Sequence, residues 1–294
     1  MGAFAVKDVM RSPRAKAAVR FALDEDLGNA SALAFPRWLD ATSEALVDPD
    51  AVATGEIYPK GKGCVVAGAT VARAVLKAVD PRIQVRITVP DGAKARVCEP
   101  ILVFRGKARS ILAAERTALN FMQRMCATAT LTRAFVDATK RYGTLILDTR
   151  KTTPGLRVFE KYAVLCGGGA NHRMGMYDRV LMKDNHRRLW KGGDPSALDE
   201  AVRAARAKFP RLAVEVEVES LEECASARLR PGRSGSCSTT CPSPTCAAAS
   251  GCAAASRRPR RPAASRLTAR ARLPRPESRR FRSAASPTRP APPT

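Results

Sequence analysis

The sequence predicts an α/β protein in three parts: an N-terminal α+β domain, a strand–helix segment that builds a parallel sheet or barrel, and a disordered basic tail. Three observations predict it. Short β-type runs crowd residues 53–103. Between residues 110 and 218, apolar runs ending in Asp148 and Lys183 alternate with helix-forming stretches, the signature of parallel strands joined by helices. From about residue 228 the periodicity stops, and Arg, Pro, Ala and Ser take over.

Residues 15–27 read as an amphipathic helix, with Val19, Phe21, Ala22 and Leu23 among charges. Strand-like runs follow at 53–57, 64–67, 83–89 and 101–103, with turns at Pro90-Asp91-Gly92 and Arg105-Gly106-Lys107. Residues 30–41 contain Pro36 and Trp38 and show no clear period. Residues 110–140 are helical in pattern, with Ile111, Leu112, Leu119, Met122 and Met125 able to share a face. Short apolar runs at 144–147 and 180–182 follow, then helix formers at 197–207. The alternation of residues 214–218 makes a strand with Glu215, Glu217 and Glu219 on one face. The predicted domains are 1–119, 120–227 and the tail 228–294.

At 294 residues with 45% hydrophobic content the chain can bury real cores, but its formal charge of +24 is unusual. Residues 228–294 hold fifteen Arg, no Lys and one acidic residue, Glu277, so +14 sits there and +10 in the rest. Such charge implies anionic partners: nucleic acid, phosphate metabolites or anionic membrane. The tail lacks the apolar residues to offset chain entropy. No apolar run of about 18 residues exists. The N-terminus has no basic start followed by an apolar core. Nine scattered cysteines then read as reduced thiols, and the protein as cytoplasmic.

The chemistry concentrates in three words: Ile146-Leu-Asp-Thr-Arg-Lys-Thr-Thr-Pro-Gly155, Cys166-Gly-Gly-Gly-Ala-Asn-His-Arg173 and Leu181-Met-Lys-Asp-Asn-His186. They set Arg150, Lys151, Arg173, Lys183 and His172 among apolar runs and glycines, where cations converge on a small polyanion. Arg offers a planar fork to carboxylate or phosphate, and Lys a point charge. Alone, His172 reads as a core histidine; beside Arg173, after glycines that permit close backbone approach, it reads as a binding residue. An inward carboxylate on the 215/217/219 face needs a cation, either Lys or a metal ion. Cys237, Cys241, Cys246 and Cys252 lack zinc-site spacing. No phosphate-loop or G-x-G-x-x-G motif is present.

These words, with Glu115-Arg-Thr-Ala-Leu-Asn-Phe121, Ala129-Thr-Leu-Thr-Arg-Ala-Phe-Val-Asp-Ala138, Glu160-Lys-Tyr-Ala-Val164 and Val214-Glu-Val-Glu-Val-Glu-Ser-Leu-Glu222, resemble the quinolinate phosphoribosyltransferase family, also called nicotinate-nucleotide pyrophosphorylase (carboxylating). Glu25-Asp-Leu-Gly28 and Thr42-Ser-Glu-Ala45 resemble family words separated by an insertion at 30–41. The resemblance implies an N-terminal α/β sandwich and an incomplete, TIM-like α/β barrel. It implies that quinolinate and phosphoribosyl pyrophosphate give nicotinate mononucleotide, pyrophosphate and CO2, with Mg²⁺. It implies a homodimer in which Arg116 reaches quinolinate in the partner subunit. Arg150, His172 and Arg173 would hold the two carboxylates. Lys151 and Lys183 would meet phosphate or pyrophosphate oxygens, and Thr149 would line the pocket. Glu217 would face the metal and ribose, and Lys151 and Glu217 would be the catalytic pair.

After about Ala227 the family would continue with Leu-Leu-Asp-Asn-Met, then Ser-Gly-Gly, then Val-Gly-Ala-Leu-Thr-His-Ser, and this chain does not. Joining the third base of each codon to the first two of the next lets Ser236–Cys241 encode Leu-Leu-Asp-Asn-Met. The same shift lets Arg282–Ala291 encode Val-Gly-Gly-Leu-Thr-His-Ser-Ala. The tail therefore reads as an out-of-frame translation, and the chain as a catalytically impaired member of the family. Two other readings stand beside it. One is a relative acting on another pyridine carboxylate. The other is a nucleic-acid binder working through the Arg-rich tail, which has one aromatic, Phe281, to stack on bases.

Overall fold

A computed structural model describes residues 8–28, 38–193 and 197–218, together with the backbone of 235–239 and 266–272. The first helix, α1 (Pro13–Leu27), opens on a proline and buries Val19, Leu23 and Leu27 at four-residue spacing. A short helix, α2 (Ala41–Leu46), is capped by Asp40, whose side chain accepts from the Ser43 amide. Strands β1 (Val52–Lys60) and β2 (Cys64–Val65) lead into α3 (Ala69–Val79), which buries Val71, Ala72, Val75 and Leu76. Strands β3 (Gln84–Ile87), β4 (Lys94–Ala95) and β5 (Leu102–Lys107) complete the region. β5 pairs antiparallel with both β1 and β3, and β2 pairs antiparallel with β4. Helices therefore cover an antiparallel sheet.

Helix α4 (Ala108–Thr139) runs unbroken through the 119/120 position and buries Ile111, Ala114, Ala118, Met122, Met125 and Ala129. Helix α5 (Arg157–Cys166) docks on it through Phe159, whose ring centroid lies 4.9 Å from that of Phe121. The Asp91 carboxylate fastens α5 to the N-terminal half. It accepts from the Ala69 amide at 2.9 Å, from the Thr70 hydroxyl at 3.0 Å and from the Tyr162 hydroxyl at 2.9 Å. One charge thus caps α3 and anchors the next helix.

Strand β6 (Val180–Met182), α6 (Asp184–Arg188), α7 (Leu198–Lys208) and β7 (Val214–Val218) form the alternating part. β6 and β7 are parallel, with Leu181 opposite Glu215, and an isolated parallel bridge joins Leu147 to Ala170. Met182, Leu198, Val202, Val214, Val216 and Val218 make a second, smaller core. The expected α/β chain with parallel strands is present.

The sequence predicts disorder over 228–294, and two stretches depart from it. The backbones of β8 (Gly235–Thr239) and β9 (Arg266–Arg272) run as strands, β8 parallel to β7 and β9 antiparallel to β1. The physical reason is that β1 and β7 each present an open edge of backbone donors and acceptors, which an extended chain satisfies whatever its side chains. The remaining tail, and residues 29–37 of the expected insertion, lie outside the described residues.

Helices α2, α3 and α5 are not predicted from periodicity. α2 is a turn and a half long, and α3 follows directly on a strand-like apolar run. α5 lies behind a Thr-Thr-Pro-Gly turn that reads as loop.

Candidate active site

The site forms where parallel segments end. Asp148 follows the Leu147–Ala170 bridge, Lys183 follows β6, and Glu217 sits near the end of β7. The C-terminal ends of parallel strands are where α/β barrels gather catalytic side chains.

Asp148 organises the first part. Its amide donates to the Ala170 carbonyl at 3.1 Å, and Ala170 donates back to Ile146 at 2.8 Å. Its carboxylate is ion-paired with Lys161, which is 1% exposed. The same carboxylate accepts from the His172 amide at 2.9 Å. With the Asn171 amide oriented to donate, its nitrogen lies 2.7 Å from the other Asp148 oxygen and 2.9 Å from the Lys161 carbonyl. Lys161 also donates to the His172 carbonyl at 3.2 Å. Burial pushes the Asp148 carboxyl up, while Lys161 and His172 pull it down.

Glu215 and Glu217 do point toward cations, as an inward strand face requires. Glu215 is buried, 2.6 Å from His172 Nε2 and 2.9 Å from the Arg179 guanidinium. Burial alone would raise its carboxyl, but hydrogen bonds from His172 and Arg179 overcome this and hold it down at about 2. Glu217 accepts from Lys183 Nζ at 2.8 Å. Glu219 lies outside the described residues.

The other cations have no carboxylate of their own. Among the described residues Arg150, Lys151 and Arg173 make no ion pair, and Arg150 Nε is buried without a hydrogen-bond partner. Burial lowers the Arg173 guanidinium pKa and repulsion from Arg150 lowers it further, while Glu215 and Asp178 offset part of this. Half-buried cations without an ion pair make a candidate anion site. Thr149 and Lys151 are exposed at its rim, and the Thr149 hydroxyl accepts from the Lys151 amide at 3.0 Å. Arg157 braces the turn between them, donating to the Arg150 carbonyl at 3.3 Å and the Met174 carbonyl at 3.1 Å.

The structure thus brings Thr149, Arg150, Lys151, His172, Arg173, Lys183 and Glu217 onto one group of strand ends. Arg116 stands apart, exposed on α4, with no hydrogen bond or ion pair to the cluster among the described residues. Asp148, Lys161, Asn171 and Arg179 are contributors that the sequence does not single out, whereas Glu215 lies on the strand face expected to need a cation. The signal for Glu215 is its alternation with Glu217. Lys161 carries none, since a lone lysine is ordinarily solvated.

The glycines have a different reason from the one expected. A Cβ on Gly167 would lie 2.6 Å from the Ala129 carbonyl oxygen. One on Gly169 would lie 2.9 Å from Thr132 Cγ2 and 3.0 Å from the Ile146 carbonyl oxygen. The close approach they allow is to α4 and to the neighbouring strand. A surface cavity of about 560 Å³ lies elsewhere, between α1, α2 and the start of α4, lined in part by Trp38, Asp40, Lys107 and Arg109. We assign the chemistry to the cation cluster instead, because that is where unpaired charge converges.

No group of three or more His, Cys, Asp or Glu side chains able to hold a metal converges among the described residues. Magnesium asks less of a protein, one or two carboxylates with substrate phosphates supplying the rest. Glu217 is one such carboxylate, and a phosphate-borne magnesium would have to share it with Lys183, which lies 2.8 Å away.

Residues 40–126 match the family described as quinolinate phosphoribosyl transferase, N-terminal domain, and residues 128–230 the C-terminal domain of the same enzyme. The nicotinate-nucleotide pyrophosphorylase [carboxylating] of Mycobacterium leprae is 43% identical over 211 residues, which are 71% of this chain and 69% of that protein. The chain belongs to the quinolinate phosphoribosyltransferase family. Quinolinate phosphoribosyltransferase [decarboxylating] 1b of Nicotiana tabacum is 39% identical over 208 residues, 71% of this chain and 56% of its own. The chain therefore matches just over half the length of the tobacco relative. Among quinolinate phosphoribosyltransferase structures, nicotinate-nucleotide pyrophosphorylase from Francisella tularensis superposes with a TM-score of 0.65 at 35% identity, covering 75% of this chain and 73% of that one. NadC from Streptococcus pyogenes gives 0.68 at 28% identity, covering 87% and 96%. Within the family match, the two domains meet inside α4, and the match stops at residue 230, where the Arg-rich tail begins.

Proposed function

We propose that the site is built for phosphoribosyl transfer from phosphoribosyl pyrophosphate to quinolinate with loss of CO2, a step of NAD biosynthesis. The observation that carries this is the half-buried pair Arg150 and Arg173, neither with an ion pair among the described residues, beside Lys151. Two guanidinium forks suit the two adjacent carboxylates of a pyridine-2,3-dicarboxylate. His172 Nε2 is occupied by Glu215, so Nδ1 is the ring nitrogen left to join them. Lys151 and Lys183 would offer point charges to phosphate and diphosphate oxygens. The pyridine nitrogen attacks the anomeric carbon as pyrophosphate departs. The carbon–carboxylate bond beside the alkylated nitrogen then breaks, its electron pair drawn into the ring and finally protonated. Positioning and cationic stabilisation suffice, with no protein nucleophile. Magnesium, held through Glu217 and the diphosphate, would neutralise charge on the leaving group. Lys151 and Glu217 are the catalytic residues of this reading.

Under the same proposal the protein is a cytoplasmic homodimer in which Arg116 completes the partner's site. Its exposure on α4, with no hydrogen bond or ion pair to the cluster among the described residues, supports that role. Among the described residues no helix is long and apolar enough to cross a membrane. The test is calorimetric titration of the full chain with quinolinate, followed by turnover with phosphoribosyl pyrophosphate and magnesium. Saturable binding is expected, and no binding overturns the reading.

The arrest of the family match at residue 230 favours a second reading, in which the gene changes frame after about residue 227 and turnover is impaired. Sequencing the natural transcript tests it. An uninterrupted frame through this region, or turnover of quinolinate by this chain at a normal enzyme rate, overturns it.

A further inference from the structure

We infer that Lys161 is a positioning residue, whose buried ion pair with Asp148 fixes the His172–Arg173 segment against the strand end that carries Arg150 and Lys151. The inference rests on reading the cluster as a dicarboxylate pocket.

Lys161 is 1% exposed and the Asp148 side chain 6%. A lysine this deep needs both a counter-charge and hydrogen-bond acceptors, and it has them. Its ammonium meets the Asp148 carboxylate and the His172 carbonyl. Asp148 in turn accepts from the His172 amide and, with the amide so oriented, from the Asn171 side chain. The backbone of His172 is thereby held at both its N–H and its C=O, and its ring is held by Glu215. The cations on either side are short steps along the chain. Arg150 is two residues beyond Asp148, and Arg173 directly follows His172. One buried pair therefore ties together the two segments whose spacing must match the two carboxylates of a planar ring. Neither Lys161 nor Asp148 reaches a ligand, because their polar atoms are taken up by the protein. The adjacent Tyr162 bonds Asp91, so α5 is fixed to the N-terminal half by one residue and to the site by the next.

The chain has two histidines, His172 and His186, so imidazole NMR resonances of the full-length protein report the site directly, with His186→Gln giving the assignment. In Lys161→Met we expect the His172 resonances to move while those of His186 stay. We expect the dissociation constant for quinolinate to rise about tenfold to a hundredfold, the scale of a misplaced binding group. Lys161→Met/Asp148→Asn removes both charges and leaves none stranded; it should recover stability without recovering affinity. A folded Lys161→Met protein with wild-type His172 resonances and wild-type affinity overturns the inference. If the single variant does not fold, the double variant gives the reading. If neither folds, the pair is a requirement of the fold and the inference falls. If the wild-type chain binds no dicarboxylate, the functional reading fails, and the His172 resonances alone decide the positioning claim.

Discussion

Whether a cation already has a carboxylate separates the side chains of this site. Lys183 has Glu217, and His172 shares Glu215 with Arg179, whereas Arg150, Lys151 and Arg173 have none among the described residues. Removing an unpaired arginine should cost ligand and leave the fold intact. Arg173→Ala is expected to weaken quinolinate binding by about tenfold to a hundredfold, the range of one charge-assisted hydrogen bond. Arg173→Lys should recover only part of this, because a point charge cannot reproduce a bidentate fork. Calorimetry reads both, with the unfolding midpoint as control. Glu215 should behave oppositely. Its folded pKa, about 2, lies below its ordinary value, so its contribution to stability is complete above the unfolded pKa and fades as pH falls toward 2. That contribution is on the order of 3 kcal/mol. The stability difference between wild type and Glu215→Gln, measured by denaturant unfolding at several pH values, should be largest near neutrality and shrink through this acid window. A difference that stays constant there would contradict the assignment.

The elements explain why some of the fold is legible in the sequence and some is not. The strict alternation of Val214, Glu215, Val216, Glu217 and Val218 announces β7, and the 3.6-residue spacing from Ile111 to Met125 announces α4. α3 is hidden because Val65, Val66 and Ala67 lead into it as one continuous apolar run. The cations of the site are legible because charge beside apolar runs and glycines is rare. Their supports are not, since only tertiary packing buries Lys161. The glycine run is legible as a close approach but not as to what. In the fold it lets the segment after α5 lie on Ala129 and Thr132 of α4. Gly169→Ala should therefore be destabilising by about 1–3 kcal/mol through overpacking. Its added methyl also presses on the Ile146 carbonyl that receives the Ala170 amide, so dicarboxylate affinity should fall with stability. Gly143→Ala has open space and a milder demand, a positive φ of 63° alone. It should cost less and leave affinity unchanged. Urea unfolding of the two variants beside wild type checks this order.

For the molecule as a whole, the decisive contrast is between the charge of the family-matched region and that of the tail. Residues 228–294 carry +14 with a single acidic residue, while the cation cluster sits in the part carrying +10. β6, β7 and β8 run parallel in one three-stranded sheet, with β7 between the other two. A barrel site needs side chains from several strand ends, and under the proposed function Glu217 is the one carboxylate assigned to the diphosphate side among the described residues. Restoring the alternative frame after about residue 227 should therefore change catalysis far more than dicarboxylate binding. Arg150, His172 and Arg173 precede the change and are unaltered by it. The frame-restored product is expected to bind quinolinate within about threefold of the present chain, each 1.4 kcal/mol being a factor of ten. Its turnover with phosphoribosyl pyrophosphate should exceed that of the present chain by about a hundredfold or more, the scale of losing a group that stabilises developing charge. Parallel calorimetry and steady-state kinetics on the two full-length proteins decide it. Equal turnover would show that the tail as written serves the site, and equal failure to bind would remove the cation cluster from the argument.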